Sequence, residues 1–178
     1  MFVRTMCYPV TVLGPGKRLG VWLSGCSKRC PGCMSPELQE RRQSDDVALD
    51  ALMDVIAGQN RQIDGVTVSG GEPFEQAEEL CGLLAFLHGQ VSQDILVYTG
   101  WTFDEVKADP QAQKCLPYIA TLIDGEYVES LNDGVGLRGS SNQTVHRLAP
   151  SPEFDYEGEE RRVQGFMFQN NLFTAGVR

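Results

Sequence analysis

A chain of 178 residues, 42% hydrophobic and 22% charged, has the size and composition of one ordinary globular domain with a substantial core. Its 24 acidic residues outweigh 15 Lys and Arg for a net charge of −9, which argues against a surface for nucleic acid or an anionic membrane, since either would need clustered cations. No apolar run approaches the roughly 18 residues of a membrane span, and the opening MFVRTMCYPVTV, broken by Arg4 and Pro9, does not read as a signal peptide, so a cytoplasmic protein is expected.

In chain order, LGVWLS (Leu19–Ser24) reads as a buried strand feeding a cysteine-rich loop. SDDVALDALMDVIAG follows as a helix, with Ser44 as its N-cap and Asp45 and Asp46 in the first turn, where negative charge suits the helix dipole. Ala48, Leu52, Val55 and Ile56 fall on one face of it, and Gly58 is its stop. DGVTVSGG is a second strand, and Pro73 opens the next helix, whose Ala77, Leu80, Cys81, Leu84 and Leu87 form an apolar stripe. DILVYTG is a third strand, followed by a short helix from about Thr102, and YIATLID is a fourth. Beyond Asp124 the LRGSSNQTVH stretch reads as a polar loop and APSPEFDYEGEERR as a linker or surface segment. VQGFMFQNNLF reads as a hairpin turning at Gln169-Asn170-Asn171. Strands alternating with helices predict parallel pairing, with chemistry gathered at the carboxyl ends of the strands. Gly25–Cys33, Ser69–Pro73, Thr99–Trp101 and Asp124–Gly125 all lie at such ends, which predicts one shared site.

Six cysteines without a secretory signal point to metal or redox chemistry rather than a disulfide framework. Cys26, Cys30 and Cys33 are spaced C-x3-C-x2-C with no fourth cysteine nearby. Soft thiolates suit zinc or an iron–sulfur cluster, but a structural zinc and a simple 4Fe–4S electron carrier each want four protein ligands. Three thiolates on a cubane leave one iron open for a non-protein ligand. Cys81, on an apolar helix face, reads as a small core residue, and Cys7 and Cys115 as buried or free thiols. Trp22, inside its strand, reads as core.

The cysteine spacing followed by SGGEP (Ser69–Pro73) resembles the radical S-adenosylmethionine (SAM) superfamily. Within it, GPGKR (Gly14–Arg18), SGCSKRCPGC, VSGGEP, VYTGWTFDEV, LIDGEYVESL and LRGSSNQTVH resemble successive segments of the activating proteins of anaerobic (class III) ribonucleotide reductase. The resemblance implies an α/β fold, an open, shortened (βα) partial barrel with a mostly parallel sheet, over residues 1–150. Residues 151–178 would be a C-terminal extension of unassigned role. It implies that Cys26, Cys30 and Cys33 hold a 4Fe–4S cluster whose unique iron is chelated by the methionine end of SAM. Gly70, Gly71 and Glu72 would contact that end, Thr99, Gly100 and Trp101 would lie near the ribose or carboxylate, and Asp124 would face the same mouth. The implied reaction is reductive cleavage of SAM and transfer of the radical to a glycine of a large reductase subunit, with a flavodoxin- or ferredoxin-type electron donor. Arg138 and Asn142 would touch the partner or SAM.

Two positions depart from the pattern. Gly32 stands where many radical SAM enzymes carry an aromatic that packs on adenine, and Glu126 where many of these activating proteins carry Lys. Glu126 and the long tail keep two alternatives open: a stand-alone radical SAM enzyme acting on a small molecule or peptide, and an activase for another glycyl-radical enzyme. A non-catalytic zinc or iron–sulfur module is disfavoured by the absent fourth cysteine and by the GGEP segment.

Overall fold

Short, apolar, β-branched runs bounded by glycine or polar residues make four parallel strands: β2 (Arg18–Leu23), β3 (Gly65–Gly70), β4 (Ile95–Tyr98) and β5 (Thr121–Asp124). A computed structural model describes residues 1–59, 61–168 and 171–177 of the chain. Two antiparallel edges complete a six-stranded sheet, β1 (Val3–Val10) beside β2 and β6 (Thr144–Arg147) beside β5, in sequential order β1 to β6. Neither edge is predicted by the sequence: the opening segment carries no strand reading, and Thr144–His146 fall in the LRGSSNQTVH stretch that reads as a loop.

Helices cover one face. α1 (Leu49–Ala57), α2 (Ala77–Gln90) and a 3-10 segment at Ala112–Tyr118 pack on Leu19, Val21 and Leu23 of β2, Val66 and Val68 of β3, Ile95 and Val97 of β4 and Leu122 of β5. The intervening residues point the other way, as the two-residue period of a strand demands. There Trp22 joins Val10, Val12 and Leu13, while Leu96 and Ile123 join Leu137 and Tyr156. Both sheet faces are therefore buried, which is why the parallel strands read as continuous apolar runs.

The second face is covered by the C-terminal segment. β7 (Val163–Phe168) and β8 (Asn171–Gly176) form the expected antiparallel hairpin, with Phe166 opposite Phe173 and Met167 opposite Leu172. Of its expected turn, Gln169 and Asn170 lie outside the described residues, and Asn171 is already the first residue of β8. Phe173 meets Trp22 edge-on at 4.9 Å, and Ala175 and Val177 are buried in the same cluster. Tyr156, in the stretch read as a surface segment, is buried against the sheet instead. Its partners Leu96 and Ile123 are remote in sequence, so no local pattern announces its burial.

The first helix also starts later than expected. Ser44 lies in a 3-10 turn at Gln43–Asp45, and α1 is capped from Ala48. Asp45 is diverted: it accepts from the Ser24 hydroxyl at 2.9 Å and pairs with Arg4 at 3.1 Å. Leu52 and Ile56 are buried but Val55 is 57% exposed, so the apolar face of α1 is narrower than the one read from sequence. α2 begins as expected, Pro73 opening a 3-10 turn (Pro73–Gln76) that runs into it. Its buried stripe is Leu80, Leu83, Leu84 and Leu87, with Ala77 and Cys81 partly buried beside it. α3 (Phe103–Ala108) starts at Thr102 with a full capping box to Glu105.

At the amino ends of the strands Arg18 is completely buried. Its guanidinium pairs with Asp94 Oδ2 at 2.5 Å and donates to Thr67 Oγ1, Val66 O, Pro15 O and Asp94 O. This network locks β2, β3 and the entry to β4 together at the end of the sheet away from the cysteines. Among the described residues no helix is long and apolar enough to cross a membrane.

Candidate functional site

The carboxyl ends of β2 to β5 open into a cavity of about 270 Å³. Cys26, Cys30 and Cys33 line it, as do Gly70, Gly71, Glu72, Thr99 and Gly100. The structure thus brings together three of the four strand-end segments that the sequence predicts to meet. From the fourth, Gly125 reaches the cavity.

Backbone packing sets the cysteine loop against the glycine pair. Gly71 N donates to Leu23 O at 2.8 Å and Glu72 N to Gly25 O at 2.7 Å, carrying the β2–β3 ladder past the strand ends. The approach is so close that a Cβ on Gly70, which also has φ +113°, would lie 2.3 Å from Leu23 O. One on Gly71 would lie 2.2 Å from Gly25 O. These glycines are required for one chain to cross another, apart from any ligand. Gly100 differs: the nearest atoms to a Cβ there are 3.4 and 3.5 Å away, so its openness faces the cavity.

Glu72 is 1% exposed, and both carboxylate oxygens are engaged. Oε1 accepts from Thr99 Oγ1 at 2.7 Å and Phe74 N at 3.0 Å, and Oε2 accepts from Gly100 N at 2.7 Å. The side chain caps the turn into α2 while fastening the end of β4 to the end of β3. Burial nonetheless pushes its carboxyl up to about 7, against the pull of those three donors.

The cysteine loop is held on its other side by the segment after β5. Lys28 Nζ lies 2.9 Å from Glu126 Oε1, a charge-assisted bond that raises the lysine above its ordinary range. The Tyr127 backbone amide is directed at the Cys30 sulfur, and a Cβ on Gly32 would meet the Glu129 carboxylate at 2.7 Å. Glu126, in place of the Lys common in the family it resembles, thus supplies the partner of a loop lysine. Burial raises the Cys26 and Cys30 thiols, while backbone amides of Arg29 and Lys28 at Cys26 oppose the shift. Cys7 is buried in the core and pushed up to about 11 by desolvation, and Cys115 is also raised by burial, as inert core thiols are.

Two expected site residues are not brought into the cavity. Asp124 turns away from it: Oδ2 accepts from Phe103 N and Oδ1 from Thr144 N, so the side chain starts α3 and holds β6. His146 Nε2 lies 3.2 Å from Asp124 Oδ2 but off the line of a hydrogen bond. Trp101 packs over Phe74, ring centroids 6.0 Å apart, on the helix-covered face. Arg138 and Asn142 serve loops, Arg138 pairing with Asp133 and Glu157 and Asn142 donating to Glu126 O.

Other lining residues were not anticipated. Gln143 accepts from Gly139 N and Ser140 N and donates to Gly125 O, shaping the wall with one amide. Trp22 borders the cavity as well as the core. Tyr98 also lines it, and its hydroxyl is buried without a hydrogen-bond partner among the described residues. Strand polarity signals Tyr98, since it is the last residue of β4 on the non-helical face. Lys28 is signalled only by its place between two of the cysteines.

The donor set is three soft thiols on one wall. Among the described residues no three His, Cys, Asp or Glu side chains converge closely enough to hold one metal ion. Cys26, Cys30 and Cys33 share one cavity wall, and soft thiolates are the ligands that iron–sulfur clusters take.

Comparison with known proteins agrees. Residues 12–146 match a family described as a 4Fe–4S single cluster domain. The chain is 33% identical over 151 residues to the anaerobic ribonucleoside-triphosphate reductase-activating protein of Salmonella typhimurium, covering 79% of this chain and 96% of that protein. It is 34% identical over 152 residues to the protein of that name from Escherichia coli K12, with the same coverage. The activating protein of phage T4 is 28% identical over 138 residues, covering 75% of this chain and 86% of that one. The chain belongs to this family of activating proteins, built on a single 4Fe–4S cluster domain.

Proposed function

We propose that the chain is a radical SAM activase that generates a glycyl radical on the large subunit of anaerobic ribonucleotide reductase. Cys26, Cys30 and Cys33 hold the 4Fe–4S cluster. When bound, the cluster supplies the single electron that cleaves the sulfonium of SAM. The observation that carries this reading is the backbone crossing at Gly70 and Gly71, which fixes the glycine pair beside the cysteine loop in one cavity.

The residues divide the remaining work. The methionine end of SAM meets Gly70 and Gly71, whose half-buried backbone lines the cavity beside the cysteine loop. Glu72, with both oxygens engaged, holds Thr99 and Gly100 at the wall. Tyr98 adds its ring to the same wall. Lys28 and Glu126 clasp the cysteine loop and help exclude water from it. The barrel is the open, shortened form of the radical SAM fold over residues 1–150, with 151–178 as an added segment. The protein works in the cytoplasm with a flavodoxin- or ferredoxin-type electron donor.

The test is anaerobic reconstitution with iron and sulfide, reduction, and addition of SAM and the reductase. Formation of 5′-deoxyadenosine together with the paramagnetic resonance doublet of a glycyl radical on the reductase is expected. SAM cleavage without that doublet would assign another target, and zinc in place of iron in anaerobically purified protein would overturn the cluster reading.

A further inference from the structure

Exposed apolar surface on this acidic chain is not scattered. Among the described residues, the large apolar side chains at least 36% exposed lie, with one exception, in three segments: the cysteine loop, the loop 126–136 and the C-terminal hairpin. The exception is Val55, on the outer side of α1. In the loop, Leu131 and Val135 are 43% and 46% exposed, and on the hairpin Val163, Met167 and Leu172 are 51%, 67% and 65% exposed.

The three segments are joined around the cavity mouth. Lys28 and Glu126 tie the cysteine loop to the loop 126–136 at 2.9 Å. Arg161, two residues before β7, donates to Val135 O at 3.0 Å, Gly136 O at 2.9 Å and Arg138 O at 2.6 Å, stapling that loop to the base of the hairpin. Val163 and Leu172 line the cavity itself, so the apolar rim is continuous with its interior. A hairpin with one face on a core ordinarily turns polar residues outward, yet here Met167 stands directly opposite Leu172 and both are more than half exposed. An apolar patch of this kind marks an interaction surface.

We propose that this rim, extended by the C-terminal hairpin, is the docking surface for the glycine-bearing segment of the reductase. The inference rests on the activase reading: a donor that gives up a Cα hydrogen in this cavity must bring its backbone across the rim. The hairpin lies beyond residues 12–146, and relatives covered to 96% of their length match only 79% of this chain. The hairpin thus lies outside the family match, beside a mouth whose loop 126–136 lies within it.

The test uses the reconstituted full chain with Met167→Gln and Leu131→Gln combined, two exposed positions outside the cavity lining. Cleavage of SAM without the reductase should stay within about twofold of the unaltered protein, while affinity for the reductase should fall at least about tenfold. Glycyl-radical yield should fall at limiting reductase and recover when reductase is in excess. Val55→Gln, which removes an exposed apolar side chain outside the three segments, should leave reductase affinity unchanged. Undiminished affinity in the double variant overturns the proposal. So does self-association of the unaltered chain that the double variant abolishes while still binding the reductase, since a second copy would then cover the rim. An unaltered chain that binds the reductase through the rim yet forms no glycyl radical would refute the activase reading while leaving the docking surface standing.

Discussion

Replacing Glu72 with Gln tests whether a buried acid organises the cavity wall. A carboxyl whose midpoint rises from 4.5 in the unfolded chain to about 7 in the folded protein binds its proton more tightly when folded. Stability therefore falls as pH rises through that window and levels off above it, as far as Glu72 is concerned. Between pH 5 and pH 8 the loss is roughly 2 to 3 kcal/mol. Gln carries no such dependence, but it has its own cost. At pH 5 the neutral acid still offers an acceptor lone pair at each oxygen, whereas an amide nitrogen accepts nothing, so its NH2 faces either Gly100 N or the pair Phe74 N and Thr99 Oγ1. A donor against a donor at a buried position costs on the order of 1–3 kcal/mol. Cluster-free Glu72→Gln should thus unfold in less urea than the unaltered chain at pH 5, with the gap closing or reversing by pH 8. Urea midpoints at four pH values in that range measure it. Parallel pH profiles for the two proteins would refute the reasoning, because they would show Glu72 titrating alike in folded and unfolded chains.

Gly71→Ala places a methyl 2.2 Å from Gly25 O, backbone against backbone, and should cost at least about 3 kcal/mol in thermal or urea unfolding. Gly100→Ala, with 3.4 Å of room, should fold normally yet weaken SAM binding, which equilibrium dialysis would detect. Arg18→Met leaves Asp94 buried without its cation and should destabilise by about 3–5 kcal/mol, much of it recovered when Asp94→Asn is added. Serine at Cys26, Cys30 or Cys33 should abolish iron retention after reconstitution, whereas serine at Cys81 should leave the iron content of the purified protein unchanged.

The parts of this fold that were legible in sequence are those decided locally. β2 to β5 announced themselves because a doubly covered strand must be apolar throughout, and the cysteine and glycine segments because their chemistry sits in contiguous residues. The edges were illegible for the opposite reason. Thr144–Arg147 is exposed or half-exposed, so neither a buried run nor a clear alternation marks it as a strand. Ser44-Asp45-Asp46 has the composition of a helix start, but Ser24 and Arg4 claim Asp45 from more than twenty residues away. Asp124 stands at a strand end, yet the unpaired amide of Phe103 draws its carboxylate to the α3 terminus rather than the cavity. Trp22 read as core because a strand buried on both faces hides which face borders a cavity. What covers that face comes from Phe173, far along the chain, and only the folded structure pairs them.

The edge-on contact of Trp22 with Phe173 gives the molecule a built-in optical reporter. Only two tryptophans are present, and Trp101 is packed over Phe74 beneath the helices. Emission from the indole at the hairpin will register how the tail is seated, and an iron centre assembled nearby will quench it. Loading and tail displacement can thus be followed in real time without attaching a dye.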